Sequence, residues 1–220
     1  MMLFSSRRWS LFPRSIVPHA LVAAALLLVS ALPATAQDDR FLRLEPNCRH
    51  VVDVLMDSAR VLGLPDSALR STALQGMQKK VDGRRICDAV RNKFGLLKTA
   101  FGVLGPVDGQ ELDAAARVLE AGGKPAQLAA FKPREKGRDD LLALTVWTDL
   151  IYRGVPGDEA STAITKLWQD GADEATFRRL WKEVQTDISQ GLNPGAALRN
   201  WIRQAPVRTP PKPPTTTPEG

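Results

Sequence analysis

The sequence predicts an all-α protein made of degenerate helical hairpins. A short turn motif recurs, in which a residue able to end a helix precedes an apolar residue and then Pro, Asp or Asn. No stretch shows the sustained alternation of apolar and polar residues that a half-buried strand requires. The motif begins at Gly63, Lys80, Gly154, Gly171 and Gly191, with imperfect copies at Pro106 and Gly123.

Each position of the turn motif has a physical role between two helices. Glycine adopts the left-handed conformation at a helix C-terminus without the steric cost of a Cβ atom. Asp or Asn in the third position accepts backbone N–H bonds at the start of the next helix. Pro in that position presets φ and lacks an N–H that would go unpaired. Each motif therefore marks the end of one helix and the start of another.

The spacing of the motifs predicts three two-helix units. The two motifs of each unit begin 17 residues apart, and the units begin near residues 63, 106 and 154. This period lies in the range of HEAT and armadillo helical repeats. We expect about three hairpin units preceded by one additional N-terminal helix, arranged as a short solenoid or an irregular bundle.

Residues 1–36 are predicted to be a cleaved signal peptide. They combine a basic start with an apolar segment at residues 20–32, and they end in the cleavage motif Ala34-Thr35-Ala36. Cleavage between Ala36 and Gln37 would place the mature chain in the periplasm or outside the cell. The alternative is an uncleaved N-terminal anchor, but a spanning helix needs about 20 apolar residues. No later segment is long and apolar enough to span a membrane.

The mature chain divides by composition into three parts. Residues 37–45 form an N-terminal extension, and residues 46–203 form the α-helical repeat domain. Within this domain, residues 139–154 are apolar on most sides and predict the most buried helix. Residues 204–220 contain six prolines, which predicts a disordered Pro/Thr-rich tail.

The two cysteines, Cys48 and Cys87, both belong to the mature part. In an oxidising compartment such a pair predicts one disulfide bond. Two buried free thiols are the first alternative. The second is a metal site formed by Cys48, His50 and Asp53, which a disulfide would exclude because a metal needs three or four converging ligands. We therefore predict no metal and no cofactor.

The charge of the chain argues against nucleic acid as a partner. The net charge is +6, and it falls to +3 without the three arginines of the leader, which contains no carboxylate. One basic run could contact anionic envelope polymers or lipid head groups, although a solvated helical face is the alternative. The run consists of Lys79, Lys80, Arg84, Arg85, Arg91, Lys93 and Lys98.

Four tryptophans, Trp147, Trp168, Trp181 and Trp201, lie in the C-terminal half of the chain. They could fill the space between helices, or they could mark a groove for a partner. The candidate interaction surface, for a protein or an anionic component of the cell envelope, consists of Trp168, Trp181, Trp201, Lys79, Lys80, Arg84 and Arg85.

The sequence offers no catalytic set. His50 is the only histidine outside the leader, and no nucleophile elbow, phosphate-binding loop or H-E-x-x-H helix is present. Two carboxylate pairs could serve an envelope hydrolase. Each pair lies in the first turn of a predicted helix, where the helix dipole favours negative charge without any catalysis. The pairs are Asp158 with Glu159 and Asp173 with Glu174, and we predict no catalytic residue.

The segment RGVPGDEASTAITKLWQDGADEATFRRL, together with the recurring turn motifs, resembles uncharacterised exported helical proteins of bacteria. The resemblance covers about residues 60–200, and it implies an exported α-helical fold with no known activity and no catalytic residues. We therefore expect a non-enzymatic helical scaffold or interaction module of the bacterial cell envelope. A carboxylate-dependent envelope hydrolase is the alternative.

Overall fold

The computed structural model describes residues 43–131 and 140–204. All regular secondary structure within these residues is helical, so the predicted all-α class is confirmed. The helices are α1 (Pro46–Val61), α2 (Asp66–Gln78), α3 (Gly83–Leu104), α4 (Gly109–Glu120), α5 (Pro125–Ala130), α6 (Asp140–Tyr152), α7 (Gly157–Gln169), α8 (Glu174–Ser189) and α9 (Pro194–Gln204).

Most helices end in the turn that the motif predicts. At the end of α6, Gly154 has a φ of 90°. Its N–H bonds to the carbonyl of Ile151 at 2.9 Å, and the Val155 N–H bonds to the carbonyl of Leu150 at 3.0 Å. This pair of bonds satisfies carbonyls that the helix leaves unpaired. The same pair of bonds recurs after α1, α2, α4, α7 and α8.

At the second pair of predicted motifs, the helix-ending residues lie one residue earlier than predicted. The left-handed residues are Gly105 and Gly122, with φ values of 78° and 107°, and not Pro106 and Gly123. Proline cannot take a positive φ, so the left-handed residue has to precede Pro106. The spacing within the unit is unchanged at 17 residues.

Four polar residues begin helices in the predicted way. Asp82, Asp108 and Asp173 accept backbone N–H bonds of 2.8–2.9 Å at the starts of α3, α4 and α8. Asn193 accepts two longer bonds at the start of α9. The predicted caps are therefore confirmed at these four positions.

The helices pack in two groups that α4 connects. α1, α2 and α3 pack against one another, and the Cys48–Cys87 disulfide joins α1 to α3 with the two Cα atoms 5.6 Å apart. α6 packs against α7 and α8, and α9 packs against the same two helices. α4 lies against both α3 and α6. The disulfide prediction is confirmed, whereas the three-unit repeat stays a prediction.

An aromatic cluster forms the centre of the C-terminal group. The rings of Phe131 and Trp168 lie with their centroids 4.9 Å apart, and the Trp147 ring lies 6.0 Å from that of Phe131. All three side chains are buried. α6, the predicted most buried helix, adds Leu144 and Leu150 to the core.

The predicted leader, most of the N-terminal extension and nearly all of the predicted tail lie outside the described residues. Within residues 43–131 and 140–204, no helix combines the length and the hydropathy needed to cross a lipid bilayer.

Candidate functional site

The most exposed of the C-terminal tryptophans lies where α6 and α8 pack together. The Trp181 side chain is 37% exposed, and its Nε1–H donates a hydrogen bond to Asp149 Oδ2. Arg153 Nε donates to the same oxygen at 2.9 Å, and its guanidinium carbon lies 5.7 Å from the Trp181 ring centroid. The indole is therefore held by a hydrogen bond and a cation–π contact.

The sequence of α6 explains why these groups meet. Asp149 and Arg153 are separated by four residues, so they lie on one face of the helix. Tyr152 lies within one turn of Asp149 and is 64% exposed. We call Asp149, Tyr152, Arg153 and Trp181 the Trp181 surface. It combines two exposed aromatic rings with an oriented arginine.

Two other tryptophans of the candidate surface do not belong to it. Trp168 is 2% exposed and Trp201 is 5% exposed, so the prediction that they form a surface is corrected. Both lie on the apolar face of an amphipathic helix, with Trp168 packed against Phe131. Their rings fill the core, which was the alternative interpretation.

The four predicted cations are exposed. Lys79 and Lys80 follow the end of α2, and Arg84 and Arg85 lie in the first turn of α3. They belong to the N-terminal group of helices, whereas Trp181 belongs to the C-terminal group. The predicted cations and Trp181 therefore lie on different elements.

One residue of the basic run, Lys93, is buried. Its Nζ lies 2.8 Å from Asp113 Oδ1 and 3.7 Å from Glu120 Oε2, across the contact between α3 and α4. Arg117 Nε donates to the other oxygen of Asp113 at 3.0 Å. Burial raises the pKa of Asp113, but the hydrogen bond and charge of Lys93, with those of Arg117, outweigh it and hold that pKa below its usual value. The carboxylate is therefore ionised and paired.

Asp113 also lines an open cleft of about 470 Å³ between α2 and the starts of α4 and α6. The cleft carries small polar groups, and its lining residue Asp113 pairs with the buried Lys93. Because the pKa of Asp113 is lowered, this group is not a proton donor at neutral pH. The lining residues are Ser67, Ala68, Ser71, Asp108, Gly109, Gln110, Asp113, Ala114 and Leu141.

The first carboxylate pair of the hydrolase alternative, Asp158 with Glu159, connects neighbouring helices. Lys124 Nζ and Gln127 Nε2 donate to Asp158 at 2.8 and 2.6 Å, which connects α7 to the start of α5. The hydrogen bond and charge of Lys124 lower the pKa of Asp158. Arg199 NH1 lies 2.7 Å from both oxygens of Glu159 and connects α9 to α7.

The contacts of the second pair, Asp173 with Glu174, are local to the start of α8. Asp173 accepts the Thr176 N–H at 2.9 Å as the cap of α8, and Glu174 pairs with Arg178 one turn later on the same helix. The four carboxylates therefore stabilise helix starts and helix contacts, as the helix-dipole interpretation predicts.

The alternative metal site at Cys48, His50 and Asp53 loses its thiolate ligand to the disulfide. Cys48 and Cys87 are joined in a disulfide, so neither sulfur can bind a metal as a thiolate. Among the residues that the structure describes, no group of three or more His, Cys, Asp or Glu side chains could hold a metal ion.

No protein-family model, curated protein or solved structure matches the chain. The described residues define a class of protein by their own features: an all-α fold, linked by one disulfide, with an exposed aromatic and arginine surface between α6 and α8.

Proposed function

We propose that this chain is an exported, non-enzymatic interaction module of the bacterial cell envelope, of the kind that its sequence resembles. In this proposal residues 1–36 are a cleaved signal peptide, and the mature protein is periplasmic or secreted. The A-x-A motif after the apolar segment supports export. The Cys48–Cys87 disulfide also supports it, because disulfides persist in oxidising compartments.

The Trp181 surface is the observation that carries the proposal. Tryptophan, tyrosine and arginine are the residues that most often dominate the binding energy of protein interfaces. Here all three occur together, and Trp181 and Tyr152 remain exposed while the other tryptophans of the C-terminal group are buried. The partner that this surface fits is a protein with an apolar pocket for the indole ring.

The contacts of Trp181 prepare it for binding. Asp149 fixes the indole N–H and Arg153 lies over the ring, so the side chain loses little rotational freedom when a partner closes over it. Preorganisation of this kind raises affinity because the entropic cost of ordering is already met in the free protein.

The contacts of the carboxylates favour an interaction module over the hydrolase. A general acid needs a pKa raised toward neutral pH, whereas the pKa of Asp158 is lowered by Lys124. Glu159, Asp173 and Glu174 are occupied by Arg199, the start of α8 and Arg178. These groups would have to be released from helix contacts before they could act on a substrate.

Affinity capture from envelope extracts tests the proposal. The tagged parent is compared with Trp181→Ala and with Leu192→Ala, because Leu192 is also 37% exposed but lies at the turn after α8. We expect Trp181→Ala to reduce recovery of a specific protein at least about tenfold, and Leu192→Ala to leave it unchanged. Equal recovery by the parent and Trp181→Ala would contradict the proposal.

The same experiment distinguishes binding by the tail from binding by the Trp181 surface. A chain that ends at Gln204 keeps every described helix. If capture depends on Trp181, this shortened chain retains the partner. Loss of the partner in the shortened chain, with full retention by Trp181→Ala, would assign binding to the tail.

A further inference from the structure

A second surface lies at the turn between α2 and α3. This turn and the α1–α2 turn lie at opposite ends of α2. The disulfide holds the start of α3 beside the start of α1, and a Cβ atom at Gly83 would lie 3.2 Å from Glu45 Oε2. Lys79, Lys80, Arg84 and Arg85 are exposed at this turn. We call these four cations, with Val81 between them, the basic turn.

The charges of the basic turn are not used by the fold. Elsewhere in the described ranges, many cations lie within 3.0 Å of a carboxylate oxygen. They are Arg60, Arg91, Lys93, Arg117, Lys124, Arg153, Lys166 and Arg199. Of residues 43–131 and 140–204, none supplies an ion-pair partner to the four cations of the basic turn. Their positive charge therefore remains available to a ligand.

Two cations occupy a place where the helix disfavours them. Arg84 and Arg85 lie in the first turn of α3, and this first turn contains no acidic residue. The dipole of a helix favours negative charge in its first turn and opposes positive charge there. The positive charge of these arginines therefore opposes the dipole of α3.

Lys80 shows a second conflict with the needs of the fold. Its φ is 53°, and it is the only non-glycine residue with a positive φ in the described part of the chain. The six other turn residues with positive φ are glycines, because a Cβ atom is strained in this conformation. Local choices that oppose the fold are expected where a residue serves a function.

The basic turn also contains an apolar group. The Val81 side chain is 36% exposed and lies between two lysines and two arginines. Three carboxylates lie close by in the chain or the fold: Asp82 accepts the N–H of Arg84, Glu45 lies beside Gly83, and Asp88 pairs with Arg91 one turn further along α3. Basic groups around a small apolar tip are typical of surfaces that lie on anionic membranes.

We propose that the basic turn binds the surface of a bilayer that contains anionic phospholipid, with the four cations at the phosphate groups and Val81 at the boundary of the acyl chains. A hydrated soluble polyanion would use the cations but would gain nothing from Val81. This surface is separate from the Trp181 surface, so the protein could bind a membrane and a protein partner at once.

Vesicle co-sedimentation tests this inference. The protein is purified in the form that accumulates outside the cytoplasm, and vesicles contain phosphatidylcholine alone or an equal mixture with phosphatidylglycerol. We expect binding only to the mixture, and we expect added salt to weaken it. A variant with Lys79→Ser, Lys80→Gly, Arg84→Ser and Arg85→Ser should bind at least about tenfold less well.

Control variants show whether vesicle binding depends on the basic turn or on any exposed positive charge. Arg179 and Lys182 are exposed cations on α8 for which the described residues provide no ion pair, so Arg179→Ser with Lys182→Ser should change binding less than about twofold. Val81→Ser should weaken binding to vesicles and leave binding to inorganic polyphosphate unchanged. Two results would overturn the membrane assignment. One is a loss of vesicle binding in the control variant equal to that of the basic-turn variant. The other is strong polyphosphate binding together with unchanged vesicle binding in Val81→Ser.

The single change Lys80→Gly gives an independent test. If Lys80 is present for binding and not for folding, this change should raise the thermal unfolding midpoint and lower vesicle binding. Circular dichroism confirms that each variant is folded. A lower midpoint with unchanged vesicle binding would show that Lys80 serves the turn, and it would contradict the proposal.

Discussion

Lys93 Nζ lies 2.8 Å from Asp113 Oδ1, and this ion pair joins α3 to α4 in a site where the lysine side chain is only 6% exposed. A buried pair is stable only while both charges are present, because each would otherwise lose its hydration without compensation. The pair therefore fixes how α4, which connects the two groups of helices, lies on α3.

Removing one member of this pair should cost more than removing both. Asp113→Leu leaves Lys93 with only Glu120 at 3.7 Å, so we expect a loss of about 3–5 kcal/mol in the free energy of unfolding. Lys93→Met should cost about 1–3 kcal/mol, because Asp113 keeps Arg117. Urea denaturation of both single variants and the double variant measures the coupling. Additive losses would contradict a direct pair.

The same pair predicts how stability depends on pH. The pKa of Asp113 is lowered in the folded protein from an ordinary value of 3.8. A lowered carboxyl pKa contributes stability that is fully present above the ordinary value and is lost as the pH falls through the folded value. The stability difference between the parent and the double variant should therefore stay constant well above pH 3.8 and shrink as the pH falls below that value. A constant difference would contradict this account.

The disulfide between α1 and α3 should be a major source of stability. It closes a loop across 39 residues, so the chain-entropy estimate gives roughly 4 kcal/mol. We expect Cys48→Ala with Cys87→Ala to lower the free energy of unfolding by about this amount, as measured by urea denaturation. A loss below about 1 kcal/mol would show that α1 is held by packing alone.

The same substitution should cost very different amounts of stability at two tryptophans. Trp168 is buried against Phe131, so Trp168→Ala should destabilise the fold by about 3–5 kcal/mol. Trp181→Ala removes one hydrogen bond and one cation–π contact at the surface and should cost less than about 1.5 kcal/mol. Thermal unfolding of the two variants gives the comparison. Equal losses would mean that Trp181 belongs to the core.

The sequence was informative about the turns because their chemistry is local. The left-handed residues Gly63, Lys80 and Gly154 and the cap Asp82 could be read from neighbouring residues. The disulfide followed from the number of cysteines and the predicted compartment. At the second pair of motifs the residues with positive φ, Gly105 and Gly122, lie one residue before the predicted positions, because Pro106 cannot take a positive φ.

The site could not be read from sequence in the same way. Whether Trp168 or Trp181 is exposed depends on which helices pack on each face, and both lie on amphipathic helices. Lys93 looked like a member of a basic run because its partner, Asp113, lies on another helix. The bonds that Asp149 accepts from Trp181 and Arg153 likewise depend on the packing of α6 against α8.

Site-specific photo-crosslinking in the native host measures whether the Trp181 surface binds a protein partner. A photoreactive phenylalanine replaces Tyr152, which is 64% exposed at this surface, or Val61, which is 87% exposed on α1. We expect one adduct of defined mass from position 152, none from position 61, and loss of that adduct when Trp181 is also changed to Ala. Adducts of equal yield from both positions, or an adduct at 152 that persists without Trp181, would contradict it.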